Sequence, residues 1–376
     1  MENDIRKELV VYEAEKSVRE LKKRHKTVLQ HLMNGEGYYI WGTGRLGKFC
    51  SEQMQKTHNT LRGFIDNDKS RWDTEKKIYS PACLSEDDII IAASLFYPQI
   101  LEQLHKTGNC LAVYYEELAY IMEELDTYYM GFQNIFTELE ENKKAYINIF
   151  DVLCDDISKE IYKNLLKFRM TLDHRYTSAA LQLSLQYGSQ DFDELVVRRF
   201  NEHTSFYDIG GFDGQTTLDF IQRASAYKKI YFFEPDRYMI EQTKERLSQY
   251  SNIEFYLAVV GNRTGKIGFS SSGDGSSFAS EEGGETVDMV CLDDFIDSSE
   301  SYVKFDVEGF ELSALEGCEQ AIRKYKPMLS VSLYHRAGDI HALINRVLNW
   351  NADYLVYLRH YTGTYADTRA YFIQPK

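Results

Sequence analysis

"FYDIGGFDGQTTLDF", residues 206–220, is the stretch that decides the fold of the C-terminal half of the chain. An apolar run carries an aspartate near its end, three glycines follow within five residues, and an amphipathic segment comes next. This order predicts a buried strand, a tight turn and a helix, because glycine adopts backbone conformations that other residues avoid. In an open α/β sheet, the turn after such a strand lies at the edge where ligands bind. The stretch therefore predicts a ligand site in a doubly wound sheet.

Short β-rich runs alternate with helical runs over the rest of the C-terminal half. The β-rich runs are "SFYDIGG", "KIYFFEPD", "IEFYLAVVG", "YVKFDVEG", "MLSVSLYH", "YLVYLRH" and "RAYFIQP". The alternation predicts a parallel sheet with helices between its strands, and so a doubly wound α/β domain over residues 201–376. A glycine- and serine-rich piece, residues 270–285, interrupts the pattern, and we expect a mobile loop or a hairpin insertion there.

The N-terminal half divides into three predicted parts. Residues 1–34 carry apolar residues at helical spacing and predict a helix, which packs on its own domain or, as the alternative, mediates dimerisation. Residues 35–116 show strand, glycine turn, helix and strand in sequence, which indicates a small Rossmann-like α/β module. Residues 117–200 have helical periodicity and almost no glycine, which predicts a helical connector.

Composition limits the classes of partner and compartment. The 376-residue chain has a formal net charge of -15, so nucleic acid and anionic membrane surfaces are poor partners. Its six cysteines form no CxxC pair, which favours reduced thiols and a cytosolic protein over a disulfide framework. The charged N-terminus lacks the apolar core of a signal peptide, and no uninterrupted apolar run is long enough to insert into a membrane.

The glycine turn lacks the spacing of a dinucleotide-binding loop, and an acid stands beside it. Gly210, Gly211 and Gly214 do not form GxGxxG, and Asp208 places negative charge where a pyrophosphate would come. Asp208 suits a ligand with a positive end, such as the ammonium of S-adenosylmethionine. Glu234, in "FFEPD", follows at the spacing of an acid that binds ribose hydroxyls. Together the turn and the two acids predict a site for an adenosine ligand that carries a cation.

Four segments resemble the FkbM family of S-adenosylmethionine-dependent methyltransferases. They are "FYDIGGFDGQTTLDF", "FFEPD", "LAVVGNRTGKIGF" and, most specifically, "YVKFDVEGFELSALEG", in which the DVEGxE run resembles the hallmark of the family. The resemblance covers the chain from about residue 200 onwards. It implies a class I methyltransferase fold and methyl transfer (EC 2.1.1 type) to a hydroxyl of a sugar, a glycan or a secondary metabolite, as in polysaccharide biosynthesis.

The resemblance also implies roles for particular residues. By their positions in the matching motifs, Asp208, Gly210, Gly211 and Gly214 would form the cofactor loop, and Glu234 would bind the ribose. Ala258 and Val259 would flank the adenine, and Asp306 would face the transferred methyl group.

A hydroxyl acceptor needs a general base, and His335 in "SLYHRAGD" follows a predicted strand at the edge of the site. We expect His335 to be this base, because imidazole titrates near neutrality, and Asp306 to orient it or the substrate. The alternatives are a surface histidine and an acid that caps the next helix. Glu308, Glu311 and Tyr361 are candidate substrate contacts. The acids of "DVEGFE" also suit a divalent metal, but a metal-free site is favoured because no further oxygen ligands are evident.

A second glycine turn, "GTGRLG" in residues 42–47, does satisfy GxGxxG. Gly42, Gly44 and Gly47 follow a predicted strand, and Asp66 ends the next one at the ribose spacing, so NAD or a nucleotide-linked sugar is a candidate ligand. The alternative is a turn that only packs helix on strand. Two other functions stay open: an oxidoreductase or epimerase that uses this module, and a scaffold without catalysis.

Overall fold

The structure is a computed structural model, and it describes residues 5–108, 111–270, 278–280 and 285–375. The chain forms two compact units. Unit 1 comprises residues 1–143, 164–178 and 363–365, and unit 2 comprises residues 144–163, 179–362 and 366–376.

The α-helices of the described residues are α1 Ile5–Val10, α2 Ala14–Arg24, α3 Lys26–Met33, α4 Arg45–Met54, α5 Tyr97–Thr107, α6 Tyr115–Ile121, α7 Ile135–Glu141, α8 Lys143–Val152, α9 Asp156–Thr171, α10 His174–Ser184, α11 Glu194–Val197, α12 Gln215–Arg223, α13 Arg237–Arg246, α14 Glu311–Glu316, α15 Glu319–Tyr325 and α16 Asp339–Trp350. The strands are β1 Tyr38–Trp41, β2 Leu61–Ile65, β3 Ile78–Tyr79, β4 Ile89–Ala92, β5 Ala112–Tyr114, β6 Gly188–Ser189, β7 Phe192–Asp193, β8 Ser205–Ile209, β9 Lys229–Phe233, β10 Ile253–Tyr256, β11 Ala258–Val260, β12 Gly265–Ser270, β13 Phe278–Ser280, β14 Glu285–Val290, β15 Ser301–Phe305, β16 Met328–Ser332, β17 Leu355–His360 and β18 Thr368–Ile373.

Unit 1 contains a five-stranded sheet in the order β3-β2-β1-β4-β5, and every pairing in it is parallel. Strand β4 is buried along its whole length, as expected for a strand covered on both faces. The predicted Rossmann-like module is therefore present. Its N-terminal helix differs from the prediction, because residues 5–33 form three helices with breaks before α2 and at His25.

The predicted connector contains the helices α6 to α11, together with the short strands β6 and β7. These helices do not form a body of their own: residues 117–143 and 164–178 belong to unit 1, and residues 144–163 and 179–200 belong to unit 2. Helical periodicity reports that a face is buried, but not against which neighbour it is buried.

Unit 2 is built on a seven-stranded sheet in the order β10-β9-β8-β15-β16-β18-β17. The first five strands of this order run parallel, and β18 is antiparallel to both of its neighbours. Helices connect the parallel strands, so the doubly wound sheet predicted from the sequence is confirmed. The point where the order reverses, between β8 and β15, is where an open α/β sheet binds its ligand.

The central strands of this sheet carry the core of unit 2. All residues of β8, β15 and β16 are buried, including the charged residues Asp208 and Lys304. A sheet with helices on both faces requires such continuous burial, so these strands do not show polar alternation.

A smaller four-stranded sheet, in the order β11-β14-β12-β13, follows β10 in the chain. Most of the glycine- and serine-rich piece predicted as a mobile loop or hairpin, residues 271–277 and 281–284, lies outside the described residues. Among the helices that the structure describes, none combines the length and the apolar character that a membrane crossing requires.

Candidate functional site

A cleft with a volume of about 230 Å³ opens in unit 2 where β8, β9, β11 and β15 end. Its lining combines a glycine turn, an apolar wall and several acids. The lining residues are Ile209, Gly210, Gly211, Phe212, Asp213, Thr216, Phe233, Glu234, Pro235, Asp236, Met239, Ala258, Val259, Val260, Phe269, Lys304, Asp306, Val307, Glu308 and Phe310. Most of the residues predicted to bind a cofactor are therefore brought together in one place.

The glycine turn is packed tightly against its neighbours. Gly210 has φ +75°, and a Cβ atom there would lie 2.0 Å from the carbonyl oxygen of Asp306. A Cβ atom on Gly211 would lie 2.1 Å from the ring of Phe232. Both glycines also line the cleft, whereas Gly214 precedes the first residue of α12 with φ +77°. Only glycine fits such close approaches, so a bare backbone forms the floor of the cleft.

Asp208 is not among the residues that line the cleft, and its contact with a ligand cation stays a prediction. Its side chain is fully buried, and Oδ1 lies 3.1 Å from Nζ of Lys304. Thr217 Oγ1 donates to Oδ2 at 2.7 Å, and Lys304 Nζ also donates to the carbonyl oxygen of Gly210 at 2.7 Å. A buried charge must be paired, and Lys304 provides the pairing inside the protein. Asp208 therefore supports the turn from below.

Glu234 lies at the end of β9 and lines the cleft, as its predicted role as ribose acid requires. Its Oε2 accepts from the backbone N–H of Phe212 at 2.9 Å, and its Oε1 accepts from that of Asp236 at 2.8 Å. These bonds orient the carboxylate and tie it to the glycine turn. Burial raises the pKa of Glu234 to about 7, so the carboxyl titrates near neutrality.

The apolar wall of the cleft contains Ala258 and Val259 at the predicted adenine position. Val259 belongs to a buried cluster with Phe269, against which Phe310 packs. Met239, from α13, also lines the cleft. Apolar surface of this kind suits a heteroaromatic ring.

Asp306, after β15, lines the cleft and is held by several partners. Arg369 Nη2 donates to its Oδ2 at 2.7 Å, and the hydroxyls of Ser332 and Tyr334 donate to its Oδ1 at 2.8 and 3.3 Å. Burial alone would raise the pKa of Asp306, but Arg369 and Lys304 hold it well below its usual range. Asp306 is therefore a fixed anion at the edge of the cleft.

His335 has an environment that argues against its predicted role as general base. Its Nδ1 lies 2.7 Å from Glu311 Oε1, its Nε2 lies 3.5 Å from Glu308 Oε2, and its side chain is only 6% exposed. Burial would lower the pKa of His335, but Glu311 and Glu308 raise it well above its usual value. The two carboxylates thus favour the protonated form of the imidazole, in which it cannot act as a base. The role of His335 as general base stays a prediction, and the fold surrounds it with acids.

The three candidate substrate contacts lie in different surroundings. Glu308 lines the cleft with a 41% exposed side chain. Glu311 is 1% exposed and accepts from the backbone N–H of Val307 at 2.9 Å, so it is part of the support beneath the site. Tyr361 packs against a core cluster, and its hydroxyl lies 2.9 Å from that of Tyr371. Of the three, only Glu308 is placed to touch a bound acceptor.

In unit 1, the four residues of the second predicted site, Gly42, Gly44, Gly47 and Asp66, have different surroundings. Cβ atoms on Gly42 and Gly47 would lie 2.4 Å from Ala93 O and 2.0 Å from Gly42 O, so these glycines serve packing. A Cβ atom on Gly44 would meet nothing within 4 Å. The Asp66 carboxylate accepts from Thr43 Oγ1 and pairs with Arg71 at 3.3 Å. Asp66, the predicted ribose acid, thus has its partners within unit 1. Nucleotide binding here stays a prediction that the geometry does not support.

Two residues that support the site escaped the sequence reasoning: Lys304 and Arg369. Each is a charged residue in a strand that is buried along its whole length, and that break in the pattern is a usable signal. Lys304 is also the direct partner of Asp208 in the pairing of β8 with β15. Once these strands are placed side by side, the ion pair follows from the sequence.

Comparison with known proteins finds a family model that matches part of unit 2. The family described as the methyltransferase FkbM domain matches residues 208–356. A chondroitin synthase of Pasteurella multocida (strain Pm70) is 29% identical over 157 residues, which are 40% of this chain but only 16% of that protein.

One solved structure supports the fold, and a second is similar over part of the chain. The crystal structure of methyltransferase FkbM from Methylobacillus flagellatus KT has a TM-score of 0.71 at 20% identity, and the match covers 96% of this chain and 100% of that chain. An rRNA methylase from Streptococcus thermophilus has a TM-score of 0.33 at 16% identity, covering 49% of this chain and 93% of that chain.

Proposed function

We propose that this chain, whose residues 208–356 belong to the methyltransferase FkbM domain family, uses S-adenosylmethionine to methylate a hydroxyl group of a sugar, a glycan or a related metabolite. The observation that carries the proposal is the cleft of unit 2. It combines a bare glycine turn, the oriented carboxylate of Glu234 and an apolar wall at the reversal point of the sheet.

The lining of the cleft fits S-adenosylmethionine part by part. Glu234 would bind the ribose hydroxyls, and Ala258 and Val259 would flank the adenine. Five acids and one lysine are the charged lining residues, and this excess of negative charge suits a sulfonium cation. S-adenosylmethionine would supply a methyl group on a sulfonium: the hydroxyl oxygen of the acceptor would bond to the methyl carbon as the carbon–sulfur bond breaks and a neutral thioether leaves. The hydroxyl proton would pass to the carboxylate that binds the hydroxyl group.

The part of the chain that would position the acceptor is the end of β15. Asp306 and Glu308 line the cleft there, and a carboxylate accepts a hydrogen bond from a hydroxyl group. The network of Arg369, Ser332 and Tyr334 fixes Asp306, so the hydroxyl it binds would be held in one orientation. Methyl transfer depends chiefly on such alignment of nucleophile and leaving group.

The chemical class of the acceptor is inferred from two observations. The acids at the end of β15 are hydrogen-bond acceptors, as recognition of a polyhydroxylated molecule requires. The partial match to a chondroitin synthase supports a glycan or a nucleotide-linked sugar, although this chain spans only 16% of that protein. The cytosolic location inferred from the cysteines remains a prediction.

Methyl transfer itself tests the proposed function. Purified protein is incubated with S-adenosylmethionine carrying a labelled methyl group and a panel of glycans and nucleotide-linked sugars. We expect label in one class of acceptor, on oxygen, and none with Glu234→Ala, which lacks the ribose acid. Binding of S-adenosylhomocysteine without transfer to any hydroxylated acceptor would favour the non-catalytic scaffold.

The affinity for S-adenosylhomocysteine is expected to depend on pH through Glu234. The carboxylate accepts from the ribose hydroxyls, and its pKa of about 7 means that it becomes protonated as the pH falls through neutrality. Affinity should therefore be lost with falling pH and be about tenfold lower at pH 6 than at pH 8. Calorimetric titration at both pH values measures the difference, and Glu234→Gln should abolish it. Equal affinity of the wild type at both pH values would contradict the assignment.

A further inference from the structure

Four side chains converge at the edge of the cleft: Asp306, Glu308, Glu311 and His335. Atoms of metal-ligand type from Asp306, Glu311 and His335 lie within 4.8 Å of one another. The sequence favours a metal-free site because no further oxygen ligands are evident outside the "DVEGFE" segment. The fold supplies a nitrogen ligand instead, since it places His335, which follows β16, against that segment.

We propose that His335 Nε2, Glu308 and Asp306 bind one divalent transition-metal cation at the edge of the cleft. Nε2 is buried and, among the described residues, has no hydrogen-bond partner. Its neighbours Glu308 Oε2 and Asp306 Oδ1 lie at 3.5 and 3.7 Å. With bonds of about 2.0–2.2 Å, two ligands of a tetrahedral cation are about 3.4 Å apart. Nε2 thus lies from each of the two carboxylate oxygens at about the separation of two ligands of one ion.

The orientation of the imidazole supports the same assignment. Glu311 Oε1 lies 2.7 Å from Nδ1 of His335, and Glu311 is itself fixed by the backbone N–H of Val307. A carboxylate on one ring nitrogen is the usual support of a histidine that binds a metal through the other. Glu311 therefore directs Nε2 towards Glu308 and Asp306.

The backbone at Glu308 is a further, independent observation. Glu308 has φ +52°, a conformation that is uncommon for residues other than glycine. Such conformations cost free energy and concentrate at ligand sites, where the surrounding structure holds them. Here the left-handed turn accompanies a carboxylate that lies both in the cleft lining and beside Nε2.

The charges of the cluster favour a cation. Asp306, Glu308 and Glu311 provide three carboxylates, and the two buried cations that hold Asp306, Arg369 and Lys304, are shared with other acids. Arg369 pairs with Asp191 at 2.8 Å as well as with Asp306, and Lys304 pairs with Asp208 at 3.1 Å.

The donor set also indicates the class of metal. One imidazole with two carboxylates suits Mn²⁺, Fe²⁺, Co²⁺ or Zn²⁺ better than Mg²⁺ or Ca²⁺, which prefer oxygen ligands alone. Three protein ligands leave coordination positions free for oxygens of another molecule. The role of the cation rests on the proposed function: it would hold hydroxyl oxygens of the acceptor beside Asp306. Binding of the cation itself does not depend on that function.

Titration with Mn²⁺ tests the proposal. The purified full-length chain is treated with a chelator, desalted and titrated with MnCl₂, and free Mn²⁺ is followed by electron paramagnetic resonance. We expect about one bound Mn²⁺ per chain, and an affinity lower by about tenfold or more in Glu308→Gln and in His335→Gln. Glu316→Gln is the matched control, because it makes the same change on helix α14 outside the cluster.

Absence of Mn²⁺ binding by the wild type overturns the proposal, and so does unchanged affinity in both cluster variants. Thermal unfolding of each variant monitors its folding. If His335→Gln does not fold, Glu308→Gln decides the outcome, because its side chain is 41% exposed and its replacement leaves the core intact. Calorimetry with S-adenosylhomocysteine on the same wild-type preparation separates the two proposals: cofactor binding without Mn²⁺ binding overturns only the metal site.

Discussion

Replacing Arg369 with methionine is expected to lower the free energy of unfolding by about 3 to 5 kcal/mol, the usual cost of removing one partner of a buried ion pair. The Arg369 side chain is fully buried. Its Nη1 lies 2.8 Å from Asp191 Oδ1, and its Nη2 lies 2.7 Å from Asp306 Oδ2. Methionine fills a comparable volume but leaves both carboxylates without their common cation, so the loss arises from uncompensated charge.

Thermal unfolding followed by circular dichroism measures this effect, and we expect the midpoint of the transition to fall on the order of 10 °C. Arg198→Met is the control, because Arg198 forms an exposed pair with Glu194 four residues away on the chain. Such surface pairs contribute about 0.5 kcal/mol or less. Equal midpoints for Arg369→Met and the wild type would show that the buried network contributes nothing to stability.

Replacing Glu234 with alanine is expected to weaken binding of S-adenosylhomocysteine about 100-fold or more. Hydrogen bonds to a charged group contribute about 1.5 to 3 kcal/mol each, and the carboxylate would accept from two ribose hydroxyls. The variant also removes the acceptors of the Phe212 and Asp236 N–H groups, which loosens the turn that forms the floor of the cleft.

Isothermal titration calorimetry of the two proteins side by side measures the loss. Glu241→Ala is the matched control, because Glu241 is an exposed residue of α13 that pairs with Lys244 on the same helix. Its affinity should equal that of the wild type. If folded Glu234→Ala bound S-adenosylhomocysteine as tightly as the wild type, the ribose would not be bound by Glu234. The assignment of this cleft as the cofactor site would then be wrong.

Residue patterns in the sequence were sufficient to predict that the glycine turn and Glu234 lie at the ligand edge of the sheet. The turn follows an apolar run, and Glu234 ends the next one, so both positions follow from the rule that ligands meet strand ends at one edge. The structure places Gly210, Gly211 and Glu234 in the same cleft. These inferences needed only local periodicity and the order of strands along the chain.

The surroundings of Asp208 and His335 could not be predicted in the same way. Asp208 is paired by Lys304, ninety-six positions later in the numbering, and His335 is paired by Glu308 and Glu311. A pKa depends on burial and on charges within a few ångströms, and spacing along the chain reports neither for strands that meet only in the folded sheet. In the structure Asp208 supports the turn from below, and His335 lies between two carboxylates.

The sequence by itself determined the doubly wound sheet of unit 2, the position of its ligand edge and the similarity of residues 208–356 to the methyltransferase FkbM domain, because these depend on hydrophobic period, on glycine and on short motifs. Only the tertiary structure decided which acids face the cleft, which lie paired beneath it, and how the helices of residues 117–200 divide between the two units. The physical reason is that electrostatic and packing energies depend on distance in space, and the distances between remote segments are fixed only when the strands β8, β15, β16 and β18 lie side by side.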